Sequence, residues 1–98
     1  MPDDQYSFGL EEIISALSVR KQRATYGAVA DLLGLPARSL MTGRQKSPKN
    51  SWIVAAHTGA PTGYEETEID PDCLRQTRAG ETLVIRDSVA LKRWLGNL

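Results

Sequence analysis

The residues most able to do chemistry in this chain are cations. Between Arg20 and Lys49 stand seven bases (Arg20, Lys21, Arg23, Arg38, Arg44, Lys46 and Lys49) against one acid, Asp31, a net charge of +6. Guanidinium and ammonium groups at this density suit phosphate oxygens rather than acid–base or nucleophilic work. The hydroxyls of Tyr26 and Ser39 fall in the same stretch and add neutral donors of the kind that position a nucleic-acid backbone. Just beyond it come two aromatic side chains, Trp52 and Tyr64, whose faces can stack on an unstacked base. Tyr26, Arg38, Ser39, Arg44, Lys46 and Lys49 are the candidate DNA-binding residues, with Trp52 and Tyr64 as aromatic neighbours. Each has a structural alternative: a solvated arginine at 38, a tyrosine packed on a neighbouring helix at 26, a core tryptophan at 52, and the end of a turn at 64.

Other chemistries find little to work with. His57 is the only histidine, with no partner for a triad and no second ligand at metal spacing, and Cys73 is the only cysteine, so there is no internal disulfide and no multi-cysteine zinc site. Asp70 and Asp72 beside Cys73 raise a thiol's pKa rather than lower it. No phosphate-binding glycine motif occurs. The expectation is a protein that is not an enzyme and uses no cofactor and no metal. A run of five acids, Glu65, Glu66, Glu68, Asp70 and Asp72, offsets most of the basic stretch, and the formal net charge of the whole chain is zero. The segment 65–72 is either solvated surface or a face for a basic protein partner.

These residues need a scaffold. The chain has 98 residues, with 41% hydrophobic and 24% charged content, which fits one globular domain over 1–98. Leu10, Ile13, Ile14 and Leu17 follow the spacing of one buried helical stripe, with Ser7 as its cap. Thr25 caps a second helix with the stripe Ala28, Val29, Leu32 and Leu33, ended by Gly34. Pro36 opens a third helix carrying Arg38, Leu40, Met41 and Arg44, whose length Gly43 limits. "SWIVAA" (51–56) reads as a strand and "TGAPTGY" (58–64) as a chain reversal. Asp70-Pro71 begins a short helix to about 78. "TLVIR" (82–86) is a second strand, and Asp87 or Ser88 caps a last helix with the stripe Leu91, Trp94, Leu95 and Leu98. Three helices, a short β-ribbon and a C-terminal helix make an α+β, winged-helix-like arrangement with a helix-turn-helix at 24–44.

That helix-turn-helix, "ATYGAVADLLGLPARSLMTGR", together with "IISAL" before it and "SWIVAAHTGAPTGY" after it, resembles the C-terminal DNA-binding domain of alkylguanine-DNA alkyltransferases and of their non-enzymatic relatives, the alkyltransferase-like proteins. The resemblance covers roughly residues 8–64. It implies that Tyr26, in "TYG", helps rotate a phosphate so that a damaged nucleotide leaves the stack, and that Arg38, in "PARSL", fills the gap left behind. It also implies that Trp52 stands where the family's repair enzymes carry a nucleophilic cysteine, that Tyr64 lies in the pocket loop, and that the two form the candidate base pocket. The family's adjacent His-Arg pair is Ile53-Val54 here, so the thiol-activating relay is absent. About twenty residues, "EETEIDPDCLRQTRAGETLV", are inserted before the last helix. The implied function is non-enzymatic binding of DNA, with sensing of alkylated or otherwise damaged bases by nucleotide flipping; the alternative is a small regulatory or protein-interaction module on the same fold. The absence of a leader-like segment and of any apolar run of ~20 residues leads to the expectation of a cytoplasmic protein with no membrane contact.

Overall fold

The computed structural model describes residues 9–80 and 83–98. The expected cap Ser7 and Thr82, the first residue of the strand read over 82–86, fall outside them. Helix α1 (Leu10–Arg20) turns Ile13, Ile14 and Leu17 inward, as the spacing requires. Its start is closed by Glu12, whose side chain accepts the Gly9 N–H at 3.0 Å. Strand β1 (Arg23–Thr25) follows at once and runs directly into helix α2 (Tyr26–Leu33). Thr25 is the cap the sequence indicates: its hydroxyl accepts the Ala28 N–H at 3.0 Å. Gly34 ends the helix at φ 71°, a left-handed conformation that glycine adopts without strain.

The third helix does not form as expected. Residues 36–44 make a chain of tight turns in which Ser39, Leu40, Thr42 and Arg44 each donate an N–H to the carbonyl three residues earlier. Only Ala37–Ser39 is regular, as a single 3-10 turn. Pro36 (ψ 137°) stands before it in extended backbone, and Gly43 turns left-handed at φ 78°. The segment between these two breaks is too short to repay helix nucleation. Leu40, 3% exposed, is the apolar side chain that pins it to the core.

After a 3-10 turn at Pro48–Asn50 comes strand β2 (Ile53–Val54), shorter than the expected 51–56. Helix α3 (Pro71–Arg78) begins as read, with Asp70 accepting the Asp72 N–H at 2.9 Å. Strand β3 (Val84–Ile85) and helix α4 (Ser88–Gly96) complete the chain, with Asp87 capping α4 through Ala90 N at 2.7 Å. Leu91 and Leu95 are buried in α4, whereas Leu98, expected in the same stripe, is exposed because the helix stops at Gly96.

The sheet corrects the expected β-ribbon. Its order is β2-β1-β3, and β1 pairs in parallel with both neighbours, Ala24 opposite Ile53 on one side and Ile85 on the other. The two strands legible in the sequence thus flank a third and do not pair with each other. The molecule is a small α+β unit with four α-helices among its described residues. Its core lies where α1, α2 and α4 enclose the sheet, around Trp52, Val29, Leu17 and Leu91.

Candidate functional site

A groove of about 490 Å³ opens between the start of α2, the turns of 37–46 and the loop 62–64. Its walls carry Tyr26, Arg38, Arg44, Lys46 and Tyr64, with Ala37, Met41, Thr42 and Thr62 between them. Its volume lies within the ~300–1,000 Å³ common for ligand sites.

Each side chain has a local reason for its place. Tyr26 is the first residue of α2, so the Thr25 cap sets its direction. Its hydroxyl accepts the Thr62 N–H at 2.9 Å, which ties the loop to the helix start. It makes no other hydrogen bond among the described residues, and its proton remains available to a ligand. Tyr64 is fixed from the opposite wall: its hydroxyl donates to Asn50 Oδ1 at 2.6 Å. Burial pushes the Tyr64 phenol up to about 12, with the nearby Tyr26 and Glu68 adding to the effect. Lys46 lies 6.0 Å from the centre of the Tyr64 ring, at the outer limit of a cation–π contact. Arg38 is exposed, and neither it nor Lys46 forms a salt bridge among the described residues. Arg44 is paired with Glu11 of α1.

Asn50 is the functional residue that sequence reasoning missed. It is 8% exposed, receives Tyr64, accepts the Ser47 N–H at 3.0 Å and donates to the Gln45 carbonyl at 2.9 Å. One buried amide thus fixes both the 45–50 loop and one tyrosine of the groove. The signal was present in "SPKN": a serine before proline, with asparagine three residues on, marks a capped turn.

The other candidates lie elsewhere. Ser39 donates its hydroxyl to the Pro36 carbonyl at 3.0 Å and serves the turn. Lys49 is exposed on the Pro48–Asn50 turn, outside the groove lining. Trp52 corrects the expected base pocket: it is 0% exposed, packed in the core, and cannot stack on a ligand base. The physical reason is its position at the mouth of β2, between two neighbours with equally buried side chains, Ser51 and Ile53.

The basic stretch is not one face. Arg23 is 2% exposed and donates to the Gly59 carbonyl at 2.9 Å, and Lys21 pairs with Asp72 at 2.6 Å. The acidic segment is likewise largely engaged within the fold. Asp72 also meets Arg75 at 2.7 Å, Glu66 meets Arg78 at 2.8 Å, and Glu68 accepts the Glu65 N–H at 2.8 Å. The hydrogen bond from Lys21, ahead of that from Arg75, holds the Asp72 carboxyl below its usual range. Cys73 is 0% exposed and its thiol donates to the Ser51 carbonyl at 3.4 Å. Burial pushes that thiol up to about 11, against the opposing charge of Arg23, so it is a thiol held neutral inside the core. Among the described residues, no group of three or more His, Cys, Asp or Glu side chains stands close enough to hold a metal ion, and no helix is long and apolar enough to cross a membrane.

Comparison of the chain with protein-family models, curated proteins and solved structures yields no match to any of the three.

Proposed function

We propose that the chain is a non-enzymatic DNA-binding protein whose groove receives the phosphate backbone and an unstacked, alkylated or otherwise damaged base. The observation that carries this reading is the meeting of Tyr26, Arg38, Arg44, Lys46 and Tyr64, drawn from separate segments, around one opening. Cations at the rim attract phosphates, and two tyrosines offer π-faces within. Tyr26 and Arg38 are also the two positions at which the resemblance to alkyltransferase-like proteins assigns phosphate rotation and gap filling, and both line the groove. Trp52 has no part in the proposal; Tyr26 and Tyr64 would form the walls around a base.

Fluorescence anisotropy with matched duplexes, one plain and one containing an alkylguanine, tests the proposal. Both duplexes are expected to bind at low salt, the alkylated one more tightly. Arg38→Ala and Lys46→Ala should each weaken binding and reduce the slope of log K against log salt by about 0.9, one phosphate contact each. Equal and weak binding of both duplexes at moderate salt would remove lesion sensing. Absence of binding at low salt would remove DNA as the ligand.

A further inference from the structure

Arg44 is a groove cation that already has an anion. Its guanidinium meets Glu11, in the first turn of α1 and 33 residues away in sequence. Glu11 is not part of the groove lining; it reaches Arg44 from outside, with 66% of its side chain exposed. The neighbouring Glu12 has a structural task, closing the helix start at Gly9. Glu11 has no such task, and the helix dipole already favours a carboxylate there without help from an arginine.

We infer that Glu11 is an internal counter-ion of the groove, competing with a ligand phosphate for Arg44 and setting a preference for polyanions over single anions. The inference rests on the DNA-binding reading above. Glu11 holds one nitrogen of the guanidinium, Nη1, through one carboxylate oxygen, so a phosphate must take that donor from it and meets an arginine whose charge is already balanced. An exposed ion pair is weak, so Glu11 acts as a brake and not as a lock. A lone phosphate must displace Glu11 unaided. A strand held first by Arg38 and Lys46 presents its next phosphate to Arg44 at high effective concentration and displaces the carboxylate more readily. This arrangement suppresses capture of free phosphates while leaving a continuous backbone able to bind.

The test is a double-mutant cycle read by anisotropy over a salt series, using the full chain and one plain duplex. Glu11→Gln should bind the duplex severalfold more tightly than wild type with an unchanged salt slope, because Arg44 meets a phosphate of the strand in both proteins, and inorganic phosphate should compete more effectively against the variant than against wild type. In an Arg44→Gln background the same change should give little gain, because the contested cation is gone. Circular dichroism and an unchanged thermal midpoint establish that the variants are folded. An equal gain in both backgrounds would show a general charge effect and overturn the inference, as would no gain at all while wild type binds. Failure of every variant to bind at low salt would overturn the DNA reading and this inference with it.

Discussion

Tyr64 and Trp52 are both aromatic and only a dozen residues apart, yet burial assigns them opposite work. Trp52 has no exposed surface and supplies core volume, while Tyr64 keeps one face toward the groove and anchors its hydroxyl on Asn50. The indole N–H of Trp52 has no acceptor among the described residues, so the site is held by packing rather than by hydrogen bonding. Trp52→Ala should therefore cost about 3–5 kcal/mol, a large share of a small domain's stability. Trp52→Phe should fold and bind DNA as wild type does. Urea unfolding checks the first statement and anisotropy the second; a folded Trp52→Phe that had lost DNA binding would return Trp52 to the site. Arg23 teaches the same lesson with charge. In the sequence it is one of seven bases, while in the fold it is a buried strut from β1 to the 59 turn, approached so closely that a Cβ on Gly59 would lie 2.9 Å from its Nη1.

At the scale of elements, the junction of β1 and α2 organises the site. Thr25 ends the central strand opposite Val54 and at once caps the helix that begins with Tyr26. Losing the cap frays the turn that aims Tyr26 into the groove. Thr25→Ala should cost about 1 kcal/mol of stability, with Thr25→Ser recovering most of it. The same pair should show reduced and then restored DNA affinity. Chemical denaturation and anisotropy on the two variants test this, and a Thr25→Ala protein as stable as wild type would contradict it. The 36–44 segment makes the complementary point. Its residue types suit a helix, but only Leu40 is fully buried, with Met41 partly so, and the left-handed Gly43 closes it as a series of turns. Arg38 thus reaches the groove from a turn, so the proposed DNA binding would not depend on a long helix entering a groove of the duplex.

At the scale of the whole molecule, charge is redistributed by folding. Lys21, Arg75 and Arg78 draw in Asp72 and Glu66, Arg23 goes inside, and Arg38 and Lys46 stand at the groove as cations without an ion pair among the described residues. The neutral chain therefore presents a local positive rim at the groove. The two groups held protonated inside the fold also set a limit at alkaline pH. Cys73 titrates ordinarily at 9.0 and is raised to about 11, and Tyr64 ordinarily at 10.0 and is raised to about 12. Above pH 9 the unfolded chain releases protons that the folded chain retains, so ΔG of unfolding decreases with pH. Their contribution is fully present below pH 9 and lost progressively up to about pH 12. Thermal melts across this range should show a falling midpoint, and the fall should be smaller in Cys73→Ala with Tyr64→Phe. A flat profile in the wild type would refute the assignment.

Local chemistry alone determined much of this protein. The helix starts at Thr25, Asp70 and Asp87, the stop at Gly34, and the buried stripe of α1 follow from side-chain oxygens, backbone freedom and a 3.6-residue period, all readable within a few neighbours. Of the groove residues, Arg44 and Lys46 were legible as candidates by charge, whereas Tyr26, Arg38 and Tyr64 stood out through the family resemblance, and Ser39, Lys49 and Trp52, candidates on the same grounds, lie outside the groove lining. What only the tertiary structure decided was long-range. The three residues of β1 carry no periodicity and become a strand because β2 and β3 arrive on either side, with up to sixty residues of chain between partners. The same arrival buries Trp52 and Arg23, joins Tyr64 to Asn50, and gives Arg44 to Glu11. Partner choice across such distances depends on which surfaces the whole core must cover, and no window of sequence contains that information.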